Sequence, residues 1–145
     1  MKNIIVLSVG RSDYDRYFPI IDALNNNSKI NVSLYLTQAH QNKIFGHTIS
    51  FVDKKFKILK KKLKPKKTFN LEKQKEITKN FSEDLLNLSE EIRTKKPDFL
   101  IVLGDRYEML LGPVAATPYN IPVIHFYGGA VTEGAIDELI RHSIT

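Results

Sequence analysis

Four short polar clusters in this 145-residue chain could do chemistry, and each directly follows an apolar run. The first is Gly10-Arg11-Ser12-Asp13-Tyr14, after NIIVLSV at 3–9. A glycine turn opening a helix offers unpaired N–H groups and a partial positive charge to an anion, and Arg11 adds a planar fork of donors. It carries neither a full dinucleotide fingerprint nor a P-loop lysine, so a tight turn with a solvated Arg11 is an equal reading. The second cluster is Gln38-Ala39-His40, after INVSLYLT at 30–37. The third is Gly104-Asp105-Arg106, after FLIVL at 99–103. A carboxylate at the end of a buried strand can have a raised pKa and act as general acid or base; it can equally cap the following helix. The fourth runs from Tyr127 through Gly128, Gly129, Thr132 and Glu133 into a segment with Asp137, Glu138, Arg141 and His142. Asp137 and Arg141 are four apart, as are Glu138 and His142, so each pair shares a helix face and could be an ordinary ion pair. His125, inside the apolar run, reads as a core histidine with satisfied ring nitrogens. No His/Asp/Glu spacing fits a metal site, and no Ser or Cys is placed as a nucleophile.

The elements that must position these clusters alternate. Apolar runs at 3–9, 99–103 and 121–126 read as buried strands, and the alternation of Ile30, Val32, Leu34 and Leu36 reads as another over 30–37. A helix is expected from Arg11 to about Asn26, capped by Ser12 or Asp13, with Tyr17, Ile20, Ile21 and Leu24 buried and Pro19 delaying or disturbing its start. A weak third strand is expected around Phe56, Ile58 and Leu63. A long helix is expected over about 71–95, with Ile77, Phe81, Leu85, Leu88 and Ile92 buried and Pro97 ending it. A helix over about 107–117 should kink at Gly112-Pro113. The last helix is expected from about Ala135 onward. Strand–helix alternation means an α/β fold, a parallel sheet wound on both sides. Ligands in such sheets sit beyond the carboxyl ends of the strands, where all four clusters fall.

Composition narrows the classes. The chain is 42% hydrophobic, with no cysteine and no apolar run of membrane-spanning length. A single soluble domain in the cytoplasm is expected, with no membrane partner. The net charge of +6 is local: nine lysines and no acid lie between Lys54 and Lys67, and the remainder has 13 basic and 16 acidic residues. With neither Arg nor interleaved aromatics for base stacking, that run reads as a solvated crossover, and nucleic acid is disfavoured as a partner.

Three blocks taken together resemble the hydrolysing UDP-N-acetylglucosamine 2-epimerases: Gly10-Arg11-Ser12-Asp13-Tyr14; Gly104-Asp105-Arg106-Tyr107-Glu108; and His125 through Gly128-Gly129, Thr132-Glu133-Gly134, Ile136-Asp137-Glu138 and Ile140-Arg141-His142 to Ile144-Thr145. His40 with Phe45-Gly46 and Thr48 also fits. The resemblance implies a glycosyltransferase-B-like architecture of two Rossmann-like domains, residues 1–145 corresponding to the N-terminal one, without the C-terminal UDP-binding domain. It implies elimination of UDP from UDP-GlcNAc, then hydration to N-acetylmannosamine, with no metal or redox cofactor; relatives act on other nucleotide-activated amino sugars, so GDP-GlcNAc is an alternative substrate. A non-catalytic Rossmann-like module is the competing reading. By position, Asp105, Asp137, Arg141 and His142 are the implied catalytic residues. Arg11, Ser12, Tyr14, His40, Arg106, Gly128, Gly129, Thr132 and Glu133 are the implied binding residues. A nucleotide-sugar is the implied partner, and a homo-oligomer through the face left open by the missing domain is a further candidate. Tyr127 and Ala130 depart from the pattern, standing where such proteins commonly carry acidic residues or, at Tyr127, histidine.

Overall fold

In a computed structural model of the chain, which describes residues 1–41, 48–59, 74–131 and 136–145, the apolar runs pair as five parallel strands. Strand β1 is Lys2–Ser8, β2 Ile30–Leu36, β3 Lys57–Ile58, β4 Phe99–Leu103 and β5 Val123–Phe126. Their order across the sheet is β3-β2-β1-β4-β5. β1 pairs with β2 from Lys2↔Ile30 to Ser8↔Leu36, and with β4 through Ile4↔Phe99 and Val6↔Ile101. β4 pairs with β5 from Leu100↔Val123 to Leu103↔Phe126. The order reverses between β1 and β4, so the ligand crevice of a doubly wound sheet opens there. The Gly10 turn and the Gly104-Asp105 turn form its two lips.

The central strands hold the core. Val6, Leu7, Leu34, Leu100 and Val102 are fully buried, as expected for parallel strands covered on both faces. Among the described residues five α-helices flank the sheet: α1 Arg11–Asn25, α2 Gln38–Gln41, α3 Gln74–Lys95, α4 Leu111–Ala116 and α5 Ile136–Ile144.

Four expectations need correction. Helix α1 begins at Arg11 and runs unbroken through Pro19, with Gly10 rather than Ser12 or Asp13 as N-cap. An interior proline costs about 3 kcal/mol; the burial of Tyr14, Tyr17 and Ile21 on one stripe, with Asp13 tying the first turn, outweighs it. The segment after Asp105 is not one kinked helix but a 3-10 turn (Tyr107–Leu110), then α4, then a second 3-10 turn (Thr117–Tyr119). The third strand is only Lys57–Ile58, and Leu63 lies outside the described residues. In α3 the buried positions are Asn80, Asp84, Leu88 and Ile92, with the Ile77-Phe81-Leu85 stripe only half-buried. Leu88 and Ile92 are buried as expected, Phe81 and Leu85 pack half-buried against the core, and Asp84 turns inward: its carbonyl accepts the Tyr35 hydroxyl at 3.0 Å, and its carboxylate accepts the Gln38 N–H at 3.0 Å. Residues 71–73 of that expected helix also lie outside the described residues.

Gly112 lets α4 approach the sheet. A Cβ there would stand 2.4 Å from Val102 Cγ1 and 3.1 Å from Leu100 Cδ2. Overpacking of this kind costs about 1–3 kcal/mol, more than the roughly 1 kcal/mol that alanine gains over glycine in a helix. Gly112→Ala is therefore expected to lower the urea midpoint of the chain. An unchanged or higher midpoint would show that the sheet yields at this point.

Candidate functional site

The first lip is built from α1 and its N-cap. Asp13, 4% exposed, turns back so that its Oδ2 accepts the Gly10 N–H at 3.1 Å and the Val9 N–H at 3.3 Å. This leaves Arg11 and Ser12 exposed at the surface. The Arg11 guanidinium lies 4.4 Å above the Phe51 ring centroid and pairs with Asp15 at 3.5 Å. Tyr14 turns inward instead: it is buried, its hydroxyl accepts the Asp53 N–H at 3.0 Å, and its ring packs edge-on against Phe18 and Phe56. Lys55, the one lysine of the basic run tied down among the described residues, pairs with Asp22 at 2.6 Å and lies over Phe18 and Phe56. Lys60 to Lys67 lie outside the described residues.

Burial pushes the Asp13 carboxyl above its ordinary value near 3.8; the Arg106 charge and the two N–H donors oppose this only in part. A carboxyl with a raised folded pKa binds its proton more tightly in the folded chain. Its contribution favours folding at low pH and is lost as pH rises through the window above 3.8. Asp13→Asn keeps an oxygen acceptor for both N–H groups and removes the titration. Measured by urea unfolding across about pH 3.5–6, its stability relative to the unsubstituted chain is expected to improve as pH rises. The opposite trend would mean that the negative charge itself is what the turn requires.

His40 is wholly buried, with Nε2 3.0 Å from Ser8 Oγ and Nδ1 2.9 Å from Thr48 Oγ1. It ties the end of β1 to the turn at Thr48 rather than facing a ligand. The cleft beside it, about 190 Å³, is lined by Val9, Gly10, Arg11, Ala39, Thr48, Arg106 and Glu108. Arg106, from the second lip, reaches over Gly10: a Cβ there would be 3.7 Å from its Nη1. Two arginines from different strand ends thus line one small cleft, with Glu108 as the acid on its wall.

The second lip is centred on Arg141. This residue of α5 is 2% exposed and reaches three oxygens: the carboxylates of Asp105 and Glu138 and the carbonyl of Ala130. Burying a guanidinium costs several kcal/mol unless it is paired and hydrogen-bonded, so these contacts fix α5 against the end of β4. The expected Asp137–Arg141 pair is replaced by the Glu138–Arg141 pair, three apart, because Arg141 turns inward to Asp105. The Glu138–His142 pairing is present at 3.1 Å, with the His142 side chain 74% exposed. Asp137 is half-buried in the first turn of α5.

The glycine corner divides in two. A Cβ on Gly128 would lie 2.6 Å from His125 Nδ1 and 2.9 Å from Thr145 Oγ1, so Gly128 makes room for that pair; Gly129 faces open space. Tyr127 is 66% exposed, with φ of 62°, and sends its ring outward. Thr132 and Glu133 lie outside the described residues.

The structure thus brings Arg11 of the first lip and Arg106 of the second together in one cleft, and Asp105 and Arg141 together on the second lip. It turns Tyr14 and His40 into the protein. Glu138, expected as half of a surface pair with His142, is also a partner of the buried arginine. Its spacing to Arg141 was the available signal, since positions three apart face each other as readily as positions four apart. Among the described residues no group of His, Asp and Glu could hold a metal ion, and no helix is long and apolar enough to cross a membrane.

A family model described as UDP-N-acetylglucosamine 2-epimerase matches residues 22–145. The GDP/UDP-N,N'-diacetylbacillosamine 2-epimerase (hydrolyzing) of Campylobacter jejuni is 33% identical over 99% of this chain and 37% of its own length. The UDP-N,N'-diacetylbacillosamine 2-epimerase (hydrolyzing) of Legionella pneumophila is 30% identical over 100% of this chain and 38% of its own length. The crystal structure of the Neisseria meningitidis UDP-GlcNAc 2-epimerase bound to UDP-GlcNAc superposes with a TM-score of 0.73 at 24% identity, covering 99% of this chain and 38% of that one; this likeness establishes the fold. The chain therefore spans under two-fifths of the length of these relatives. The family model and the whole-chain alignments agree, and the chain belongs to the UDP-N-acetylglucosamine 2-epimerase family.

Proposed function

We propose that this chain supplies the sugar-handling half of a hydrolysing 2-epimerase acting on a UDP-activated 2-acetamido sugar, with UDP-GlcNAc giving N-acetylmannosamine as the parent reaction. The observation that carries this reading is the buried Arg141 holding Asp105 at the mouth of the β1/β4 crevice. In the elimination a carboxylate removes the C2 proton. The C2–H electrons become the C1=C2 double bond as the C1–O bond breaks, and the diphosphate leaves with the released pair. Water then adds, its hydroxyl to C1 and a proton to C2 from the opposite face. Asp105 and Asp137 are the acid/base candidates, the first paired with the buried Arg141 and the second half-buried in the first turn of α5. Arg11 and Arg106 are placed to receive the departing diphosphate, whose developing charge needs positioned donors. His142 and Ser12 stand exposed near these lips as sugar or phosphate contacts.

The nucleotide-gripping half belongs, in this reading, to the remaining length of such proteins. A half-cleft leaves the reacting bond in water, where fixed donors are worth much less. The 145-residue chain alone is accordingly expected to release no measurable UDP from UDP-GlcNAc in a coupled assay. Mixed with the separately produced C-terminal half of a relative, it is expected to release UDP and a 2-epimerised sugar. UDP-GlcNAc and UDP-N,N'-diacetylbacillosamine are assayed side by side, because two relatives, at 33% and 30% identity, are named for the diacetamido sugar. Robust turnover by the chain alone overturns the half-site reading. Failure of the assembled halves on both substrates, with binding intact, favours a non-catalytic module.

A further inference from the structure

We propose that His125, held as the Nε2–H tautomer, is a positioning residue that sets the direction of Asp105 by gripping the main chain of Gly104; the role deepens the reaction proposed above and rests on it. His125 lies on β5 opposite Val102 of β4, one register step before the point where β4 turns. Its Nε2 is 2.6 Å from the Gly104 carbonyl oxygen, and its Nδ1 is 2.9 Å from Thr145 Oγ1. A carbonyl oxygen only accepts, so Nε2 must carry the hydrogen. In the neutral ring Nδ1 is then bare and accepts the Thr145 hydroxyl hydrogen. Both hydrogen-bonding positions of the imidazole are used in the only neutral tautomer that fits.

The grip falls where direction is decided. Gly104 has a φ of 75°, the left-handed region that favours glycine, and the next residue is Asp105. The Gly104 N–H donates to the Phe126 carbonyl at 2.8 Å, so β5 holds this glycine from both its N–H and its C=O. The far side of the imidazole reaches Thr145, whose own N–H donates to the Arg141 carbonyl at 3.1 Å. The β4 turn is therefore joined to the α5 segment twice: through the Asp105 carboxylate to Arg141, and through the Gly104 carbonyl to His125 and Thr145. The close fit of Gly128 against the His125–Thr145 pair keeps the ring in place, since any side chain at Gly128 would displace it. A carboxylate that must meet a C–H bond in line gains from this second tether, because a misplacement of about 1 Å can cost about 10²-fold in rate.

The test has a structural arm and a catalytic arm. Long-range proton–nitrogen NMR on the 145-residue chain is expected to show His125 with a protonated Nε2 and a bare Nδ1; a protonated Nδ1 with a bare Nε2 overturns the proposal without any variant. His125→Phe keeps a ring and removes both nitrogens, and is expected to shift the Gly104 and Asp105 amide resonances while distant core amides stay put. His125→Gln restores a donor at the ε position and is expected to return them toward their original places. Unmoved Asp105 resonances in His125→Phe, or no recovery in folded His125→Gln, overturn the proposal. In the two-half assembly His125→Phe is expected to lower kcat roughly 10²-fold at unchanged KM, with His125→Gln recovering most of it. A rise in KM alone would instead make His125 a simple packing residue and defeat the idea. Absence of turnover in the unsubstituted assembly sinks the proposed reaction, whereas the tautomer and the Asp105 amides decide the positioning role by themselves.

Discussion

Arg141→Leu is expected to destabilise the chain by about 3 kcal/mol, seen as a lower urea midpoint with an unchanged slope. The side chain is 2% exposed, while its partners Asp105 and Glu138 are 28% and 26% exposed. Leucine would fill much of the same space, so the loss comes from the partners. Two carboxylates and the Ala130 carbonyl would keep their shielded positions without a cation. Their partial exposure lets water recover some of the cost, which places the effect at the lower end of the about 3–5 kcal/mol typical of a broken buried pair. Arg141→Lys is expected to fall between, because one ammonium cannot serve three oxygens from the geometry of a planar fork. Replacing all three charged residues together, Arg141→Leu with Asp105→Asn and Glu138→Gln, should lose less than Arg141→Leu alone. That sign is the signature of uncompensated charge rather than lost packing. A loss of under about 1 kcal/mol for Arg141→Leu would mean that α5 is held to β4 by its apolar face alone.

The same residue marks how far the sequence could be read. Apolar runs and the alternation at 30–37 identified four of the five strands, and the polar clusters at their ends identified the rim, because both signals are local; the burial expected of β5 is not met, since this edge strand is half-buried with Ile124 38% exposed. The order β3-β2-β1-β4-β5, which puts the Gly10 and Gly104 turns together, depends on pairing between distant segments and has no local signature. Side-chain direction was hidden for the same reason. Tyr14 and His40 sit among the polar clusters, yet one is held by the Asp53 N–H and the other by two hydroxyls. In α3 the apolar spacing found the buried Leu88 and Ile92, but it could not show that Asp84 turns inward to meet Tyr35 and Gln38 while Ile77, Phe81 and Leu85 stay half-buried. Pro19 misled in the other direction, because the tertiary burial of Tyr17 and Ile21 overrides a local preference. Tyr127 could be singled out by type, but its left-handed backbone and outward ring could not.

Asp105→Asn separates the two things Asp105 could be doing. Asparagine keeps an oxygen for the Arg141 guanidinium and nearly the same volume, so a residue that serves only as a tether should survive the change. The chain should stay folded, with the Arg141 contact retained as a weaker, singly charged hydrogen bond. A proton-transfer group cannot survive it, since an amide neither takes nor returns a proton near neutral pH. In the assembly with a C-terminal half, kcat for UDP release is expected to fall by about 10²–10⁴-fold, with substrate binding largely kept. His142→Ala offers the contrast: a side chain 74% exposed on α5, whose loss would act through a contact with sugar or phosphate and raise KM before it lowers kcat. If Asp105→Asn leaves kcat within a few-fold of the unsubstituted assembly, proton transfer passes to Asp137. The Asp105–Arg141 pair is then a hinge pin of the fold, and the cleft lined by Arg11 and Arg106 is what remains of the proposed site for the leaving diphosphate.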